Sequence, residues 1–201
     1  MFDKDPLFEL SPYFHSPHNI IPEHIDNRSI ILDVGCNTGY LGRKLKEKGI
    51  ISDGIDINKK ALKEAKKIYR NVYWRDLYIP NLKLGNNKYD YIIFSDILEH
   101  LPRPDLLLKD TKQYLKKSGK VIASIPNIAR LEIRLKLLFG KFNYSGGIMS
   151  QDHLRFFTKK SAIEMFENCG YQVVMIIPTG LGYILKIFLN LTAFQFIYIC
   201  K

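Results

Sequence analysis

The residues most able to do chemistry fall into two groups. The first is a series of carboxylates, Asp33, Asp56 and Asp76, each at or just after a short β-branched run. Asp33 and Asp56 stand 23 positions apart. That is close to the ~20-residue offset at which an acid in a βαβ unit reaches ribose hydroxyls. Between them runs DVGCNTGYLG (33–42), where Gly35 and Gly39 permit a tight turn and close approach of a ligand. Flanking amides at a helix start suit an anion. Glycines alone serve a plain strand-to-helix turn equally well. The second group is Asp96, Glu99 and His100, with a later His153 in QDHLRFFT (151–158). Imidazole, with an unperturbed pKa of about 6.5, suits proton transfer. Two carboxylates and two imidazoles are also reasonable ligands for a divalent cation such as Mg²⁺. A helical turn after the strand would set 96, 99 and 100 on one face. The bland alternatives are that Glu99 and His100 brace the loop before Pro102 and that His153 fixes a loop. Arg155 is either an anion holder or the partner of an acid.

These residues need a scaffold, and the hydrophobic pattern supplies one. Short apolar runs at 29–35, 50–57, 71–74, 89–96 and 120–126 alternate with helical stretches at 39–48, 58–69 and 104–116. Asn58 is placed to cap the second helix, and Ser118 and Gly119 to stop the third. Thr158 caps a helix reaching Asn168, and Gly170 supplies a left-handed stop. Two last strands follow, at 171–178 and 193–200. Such alternation predicts an α/β fold with a parallel sheet covered on both faces. The last two strands lack a clear crossover helix and are expected to pair antiparallel. The apolar run 181–200 is expected to complete the sheet rather than anchor the chain in a membrane, because Lys186, Asn190 and Gln195 interrupt it.

The chain has 201 residues, enough for one domain, and a net charge of +10. Its composition excludes disorder and a disulfide-rich mini-protein: Cys36, Cys169 and Cys200 are an odd, sparse set. No signal-peptide pattern opens the sequence, so a cytoplasmic location is expected. The basic balance attracts anions, but the cations are spread over several helices without the interleaved aromatics of RNA-binding sheets. That argues against a nucleic-acid partner. The segment 127–150 alternates Arg130, Arg134 and Lys136 with leucines and isoleucine, as a packing helix or as a lid able to touch a lipid surface. Residues 1–28 are expected to cap the site, with 29–201 forming the main domain.

A dinucleotide-binding Rossmann domain competes for the glycine loop, but its second glycine is replaced here by Asn37 and an acid precedes its first. The motifs ILDVGCNTGYLG (31–42), GIDI (54–57), RDL (75–77), YDYIIFSDILEHLPRP (89–104) and LKKSGKVIASIPN (115–127) occur in order. On these the chain resembles the class I S-adenosylmethionine-dependent methyltransferases, over about 30–200. The resemblance implies a Rossmann-like three-layer sandwich with a seven-stranded, mostly parallel sheet and an antiparallel last strand. It implies S-adenosyl-L-methionine as cofactor, contacted by Asp33, Gly35, Cys36, Asn37, Gly39, Tyr40, Asp56, Ile57, Asp76, Leu77 and Ser95. In that family Asp33 and the glycine loop hold the methionine part, Asp56 the ribose, and Asp76 with Leu77 the adenine. Asn37 departs from the commoner Gly, yet Asn tolerates left-handed dihedrals. The acceptor is then a small molecule, quinone-like or glycan-linked, with His100, His153 and Glu99 as the catalytic candidates. A nucleic-acid 2′-O-methyltransferase and a non-catalytic cofactor-binding module are the alternatives.

Overall fold

The computed structural model describes residues 16–79, 81–86, 88–144, 146–182 and 186–201. Seven strands form one sheet in the order β3-β2-β1-β4-β5-β7-β6. They are β1 (Ile30–Val34), β2 (Ile51–Asp56), β3 (Val72–Trp74), β4 (Tyr89–Ser95), β5 (Leu115–Pro126), β6 (Val173–Pro178) and β7 (Gln195–Cys200). All pairings through β5 are parallel. The last strand, β7, runs antiparallel to both its neighbours, β5 and β6. Its six residues are all buried, so only 195–200 of the apolar run enters the sheet, while Leu181, Ile187 and Phe188 are exposed. Among the described residues no helix is long and apolar enough to cross a membrane.

The two-residue period of the strands sorts side chains between two cores. Leu32, Val34, Ile92 and Phe94 join Leu107, Leu108, Ala162 and Phe166 on one face. Ile31, Tyr91, Ile93 and Ile197 join Leu41 and Leu45 on the other. The helices supplying those residues are α2 (Tyr40–Glu47), α4 (Pro104–Thr111) and α6 (Lys159–Asn168), with α3 (Lys59–Ala65) covering β2 and β3. Capping follows the sequence: the Asn58 side chain accepts the amides of Lys60 and Ala61. Thr158 and Ser161 form a capping box at α6.

Two helices are shorter than their patterns suggest. α3 stops at Ala65 because the chain turns tightly there, with the amides of Ile68 and Tyr69 both on the Ala65 carbonyl. That turn buries Tyr69 beneath the glycine loop and brings Arg70 to Asp53. Asp53 is fully buried on β2, and the Arg70 fork holds it at 2.9 and 2.7 Å while Tyr89 donates at 2.9 Å. α4 stops at Thr111, and a 3₁₀ turn buries Tyr114. Leu115 then pairs with Tyr89, so Ser118 and Gly119 lie in β5 instead of ending a helix. Strand pairing and aromatic burial outweigh the weak helical preference of that segment.

A short helix, α1 (Pro17–Ile20), leads into a 3₁₀ turn that packs Ile20, Ile21 and Ile25 against the sheet. Tyr91 donates to Asp26 at 2.6 Å and Lys48 to the Pro22 carbonyl at 2.9 Å. The rest of the expected cap, 1–15, lies outside the described residues. The segment after β5 carries α5 (Leu131–Leu138) and is closed at its base. Asn127 bridges Phe157, whose carbonyl accepts the Ile128 amide at 3.0 Å. The Asn127 side chain also donates to the carbonyls of Asn190 and Ala193, beside the one-turn helix α7 (Leu189–Thr192).

Candidate active site at the switch point

The strand order reverses between β1 and β4, so their carboxyl ends flank the crevice where open α/β sheets bind ligands. The glycine loop lies there. Gly39 has φ +89, and Asn37 takes φ +46, the left-handed conformation it tolerates better than most residues. A side chain at Gly42 would meet the Tyr69 ring at 2.4 Å. The loop's amides are not an open anion cradle, however. Those of Gly35 and Cys36 both donate to the Ile55 carbonyl at 2.9 Å, and that of Gly39 to Cys36. The Asn37 amide donates to Asp56 Oδ2 at 2.8 Å. The loop is fastened to the end of β2 by these bonds.

The predicted donor-side residues converge on this crevice with different degrees of access. Asp56 spans the loop and α3, its other oxygen accepting the Asn58 amide at 2.7 Å. Ile57 is 51% exposed beside it, Asp76 accepts the Tyr78 amide, and Leu77 is buried. Ser95 ends β4 and lies 3.5 Å from the Ser124 hydroxyl. Cys36 faces inward among Leu62, Ala65 and Tyr69, so only its backbone belongs to the loop surface. Asp33 is buried too, and Tyr69 donates to it at 2.5 Å while the Gly42 amide donates to Tyr69. This Tyr69 brace has no local signal in the sequence, because its partners are 27 and 36 positions away. His18, unmarked in the sequence beyond its aromatic-rich neighbourhood, lies edge-on to Tyr40 with centroids 5.0 Å apart.

Burial pushes the Asp33 carboxyl up to about 7, against the opposing Tyr69 hydrogen bond. The unfolded chain releases that proton at an ordinary carboxyl pKa of about 3.9. Between those values the folded state binds more protons, so Asp33 lowers stability as pH rises from about 4 to about 7. Asp33→Asn is expected to remove this share, on the order of 2–4 kcal/mol. Urea denaturation of both proteins across that range checks it. A variant-minus-wild-type difference that stays flat with pH would refute the assignment.

The second predicted group assembles only in part. Asp96 takes φ +53, which turns the chain before the 3₁₀ turn Leu98–His100 begins. It therefore does not share a helical face with Glu99 and His100. Its Oδ1 accepts Ser124 Oγ at 2.7 Å and Gln195 Nε2 at 2.6 Å, a β4–β5–β7 network. Glu99, His100 and His153 do come together, with one potential ligand atom from each lying within 4.8 Å of the others. The imidazole rings meet edge to face at 4.8 Å. Each ring pairs Nδ1 with a backbone carbonyl, His100 with Asp152 at 2.9 Å and His153 with Ile148 at 3.0 Å. A carbonyl accepts only, so both rings carry the proton on Nδ1 when neutral and keep a lone pair on Nε2. Burial holds His153 below its ordinary value, favouring that neutral form.

Glu99 is 1% exposed, and both its carboxylate oxygens are buried without a hydrogen-bond partner among the described residues. Burial, with Asp96 nearby, raises its pKa well above the usual carboxylate range. An orphaned buried carboxylate beside two oriented imidazoles is a donor set that fits a divalent cation. The backbone staples the cluster: the amides of Leu154 and Arg155 both donate to the Glu99 carbonyl, at 2.8 and 3.0 Å. Arg155 closes this staple by donating to the Pro102 carbonyl, and it has no carboxylate partner among the described residues.

A sheet in this order, with carboxylates ending successive strands and a glycine loop at the reversal, defines the class I methyltransferase fold. Residues 11–176 match the family described as "Methyltransferase domain", and the chain belongs to that S-adenosylmethionine-dependent family. A ubiquinone biosynthesis O-methyltransferase of Glaesserella parasuis is 28% identical over 160 residues, covering 70% of this chain and 67% of that one. One from Nitrosomonas europaea is 31% identical over 129 residues, covering 61% and 54%. The chain thus spans about half to two thirds of these relatives' lengths. Among solved structures, a SAM-dependent methyltransferase from Archaeoglobus fulgidus superposes with a TM-score of 0.69 at 19% identity, covering 99% of this chain and all of that one. The magnesium protoporphyrin IX methyltransferase of Synechocystis with bound SAH gives 0.64 at 18%, covering 90% and 77%. Identities this low speak to the fold.

Proposed function

We propose that this methyltransferase acts on a hydroxyl of a small, quinone-like or glycan-linked acceptor, presented at the Glu99–His100–His153 cluster. The observation carrying this reading is the orphaned Glu99 carboxylate between two imidazoles whose Nδ1 atoms are fixed. A bound divalent cation there would supply a positive charge that lowers the pKa of an acceptor hydroxyl. Glu99, His100 and His153 would hold it. Asp152 and Ile148, through their carbonyls, keep the rings turned toward it. The relatives named ubiquinone biosynthesis O-methyltransferases agree with this acceptor class.

On the donor side, Asp56 binds the ribose hydroxyls and Asp76 with Leu77 and Ile57 the adenine. The glycine loop with Gly35, Asn37, Gly39 and Tyr40, together with Ser95, borders the methionine portion. Asp33 acts from beneath, by holding Tyr69 against α2, rather than by touching the ligand. The methyl group moves to the acceptor in line, so the protein's task is to position and desolvate the nucleophile. Residues 16–28 and the segment between β5 and α6 would border the acceptor side, and the protein works in the cytoplasm.

Asp56→Ala tests the donor site. Charge-assisted hydrogen bonds are worth about 1.5–3 kcal/mol each, so affinity for S-adenosylmethionine should fall at least tenfold by titration calorimetry. The variant also frees the Asn37 and Asn58 amides, so its melting temperature is measured alongside. Unchanged affinity in a folded variant removes Asp56 from the site. For the acceptor, turnover with labelled cofactor is compared on catechol-type hydroxyl and amine acceptors, and a preference for amines rejects the O-methylation reading.

A further inference from the structure

One helix of the molecule turns its apolar side outward. α5 buries Ile133 against Ile148 and Met149. At 100° per residue, Leu131, Leu135 and Leu138 fall on the opposite stripe. Phe139 follows them, and Leu138 and Phe139 are 76% and 74% exposed. Arg134 flanks this stripe on one side, and Glu132 followed by Lys136 on the other. Across an open groove of about 430 Å³, lined by Arg134, Lys159 and Leu189–Leu191, stands Phe188, 74% exposed. The acid of this helix, Glu132, is taken by Arg130 and Lys136 at 3.2 and 3.1 Å. Arg134 and Lys159 have no carboxylate partner among the described residues. Arg134 uses only its Nε, on the Ala129 carbonyl.

We infer that this face docks on an anionic lipid bilayer, with Leu135, Leu138, Phe139 and Phe188 entering the headgroup boundary and Arg134 and Lys159 binding lipid phosphates. The charge arrangement selects this occupant. An apolar stripe flanked by cations matches a surface with anions outside and hydrocarbon beneath. A nucleic acid would use the cations and leave the leucines in water. A second copy meeting this face about a two-fold axis would set Arg134, Lys136 and Lys159 against themselves. Continuity with the cleft supports the orientation. Tyr144, Phe142, Phe156 and His153 form an edge-to-face and tilted row at 5.5, 6.3 and 6.4 Å, ending at the His100–His153 pair. Docking would turn the acceptor side of the cleft toward the membrane. The inference rests on this surface and not on the identity of the acceptor.

Vesicle flotation of the full chain tests it, with phosphatidylcholine alone and with an equal mixture of phosphatidylcholine and phosphatidylglycerol. Binding is expected only to the mixture, weakening as salt rises. Arg134→Gln and Lys159→Gln should each weaken it about fivefold, the equivalent of about 1 kcal/mol per cation. Leu138→Ser with Phe139→Ser should weaken it tenfold or more. Phe188→Ser, on a separate segment, gives an independent loss should the double variant fail to fold. Absence of binding, or equal binding to both vesicles that ignores these substitutions, overturns the inference. So does a dimer in sedimentation equilibrium that dissociates in Leu138→Ser with Phe139→Ser. Retention on single-stranded RNA that responds to the charge variants alone overturns it in favour of a nucleic-acid surface.

Discussion

His100→Ala and His153→Ala should each lower methyl-transfer turnover by about 10²–10⁴-fold, the usual span for losing a group that handles the proton of a reacting hydroxyl. Affinity for S-adenosylmethionine should stay within about twofold, since the cluster lies past β4 and the proposed ribose and adenine contacts lie at the end of β2 and just past β3. Both rings offer Nε2 to the site and keep Nδ1 on a backbone carbonyl. His153→Asn, whose Nδ2 stands where the imidazole Nδ1 was, retains a donor for the Ile148 carbonyl, so it should preserve the loop while still losing turnover. If the cluster holds a cation, calorimetric titration with Mg²⁺ or Mn²⁺ should give one site in wild type and none in Glu99→Gln, with chelation lowering wild-type turnover to the variants' level. A wild-type rate that rises through an imidazole pKa and is indifferent to chelation would instead make His100 a base acting alone. Full activity in both alanine variants would reduce the cluster to a brace of the loop.

Truncation after Phe194 should leave no folded protein. β7 lies between β5 and β6, and all six of its residues are buried. Without it, β5 loses six paired positions and β6 loses its only neighbour among the described residues. Phe196 and Tyr198 leave the core that holds Phe166. Burial of each large side chain is worth about 1.5–3 kcal/mol, so losing Phe196, Ile197, Tyr198 and Ile199 removes about 6–12 kcal/mol, comparable to the whole ~5–15 kcal/mol by which domains are stable. The truncated chain is expected in the insoluble fraction, exposing two open strand edges. A soluble, active truncated chain would mean that the sheet does not depend on this strand.

The parts of this protein legible in its sequence are those set by local rules. The five parallel strands showed as β-branched runs, Asn58 and Thr158 as caps, and the carboxylates as strand-end residues. The antiparallel end of the sheet followed from the missing crossover helix before 193–200. What escaped depends on contacts between distant segments. Leu115–Gly119 reads as the end of a helix until Tyr89 is there to pair with Leu115. Asp96 looked like a partner of Glu99 by spacing, but its left-handed backbone gives its carboxylate to Ser124 and Gln195. Glycine-loop amides looked free because nothing in 33–42 announces that Ile55 and Asp56 will take them. Tyr69 beneath Asp33, and His18 beside Tyr40, carry no motif at all.

The closed base of the segment between β5 and α6 bears on how such a chain can diversify. Asn127 and Phe157 stand side by side, so everything between them is a loop whose ends are already joined. Doubling the length of such a loop costs only ~0.6 kcal/mol of closure entropy. The constraint falls on a few anchors: the Asn127 amide fork on Asn190 and Ala193, and the amides of Leu154 and Arg155 on Glu99. Between Leu131 and Gly147 the chain is therefore a cassette. It can be exchanged for longer or shorter versions from related chains without retuning the sheet or the glycine loop, provided that Ile148 keeps its carbonyl on His153 Nδ1 and Ser150 its carbonyl on the His153 amide.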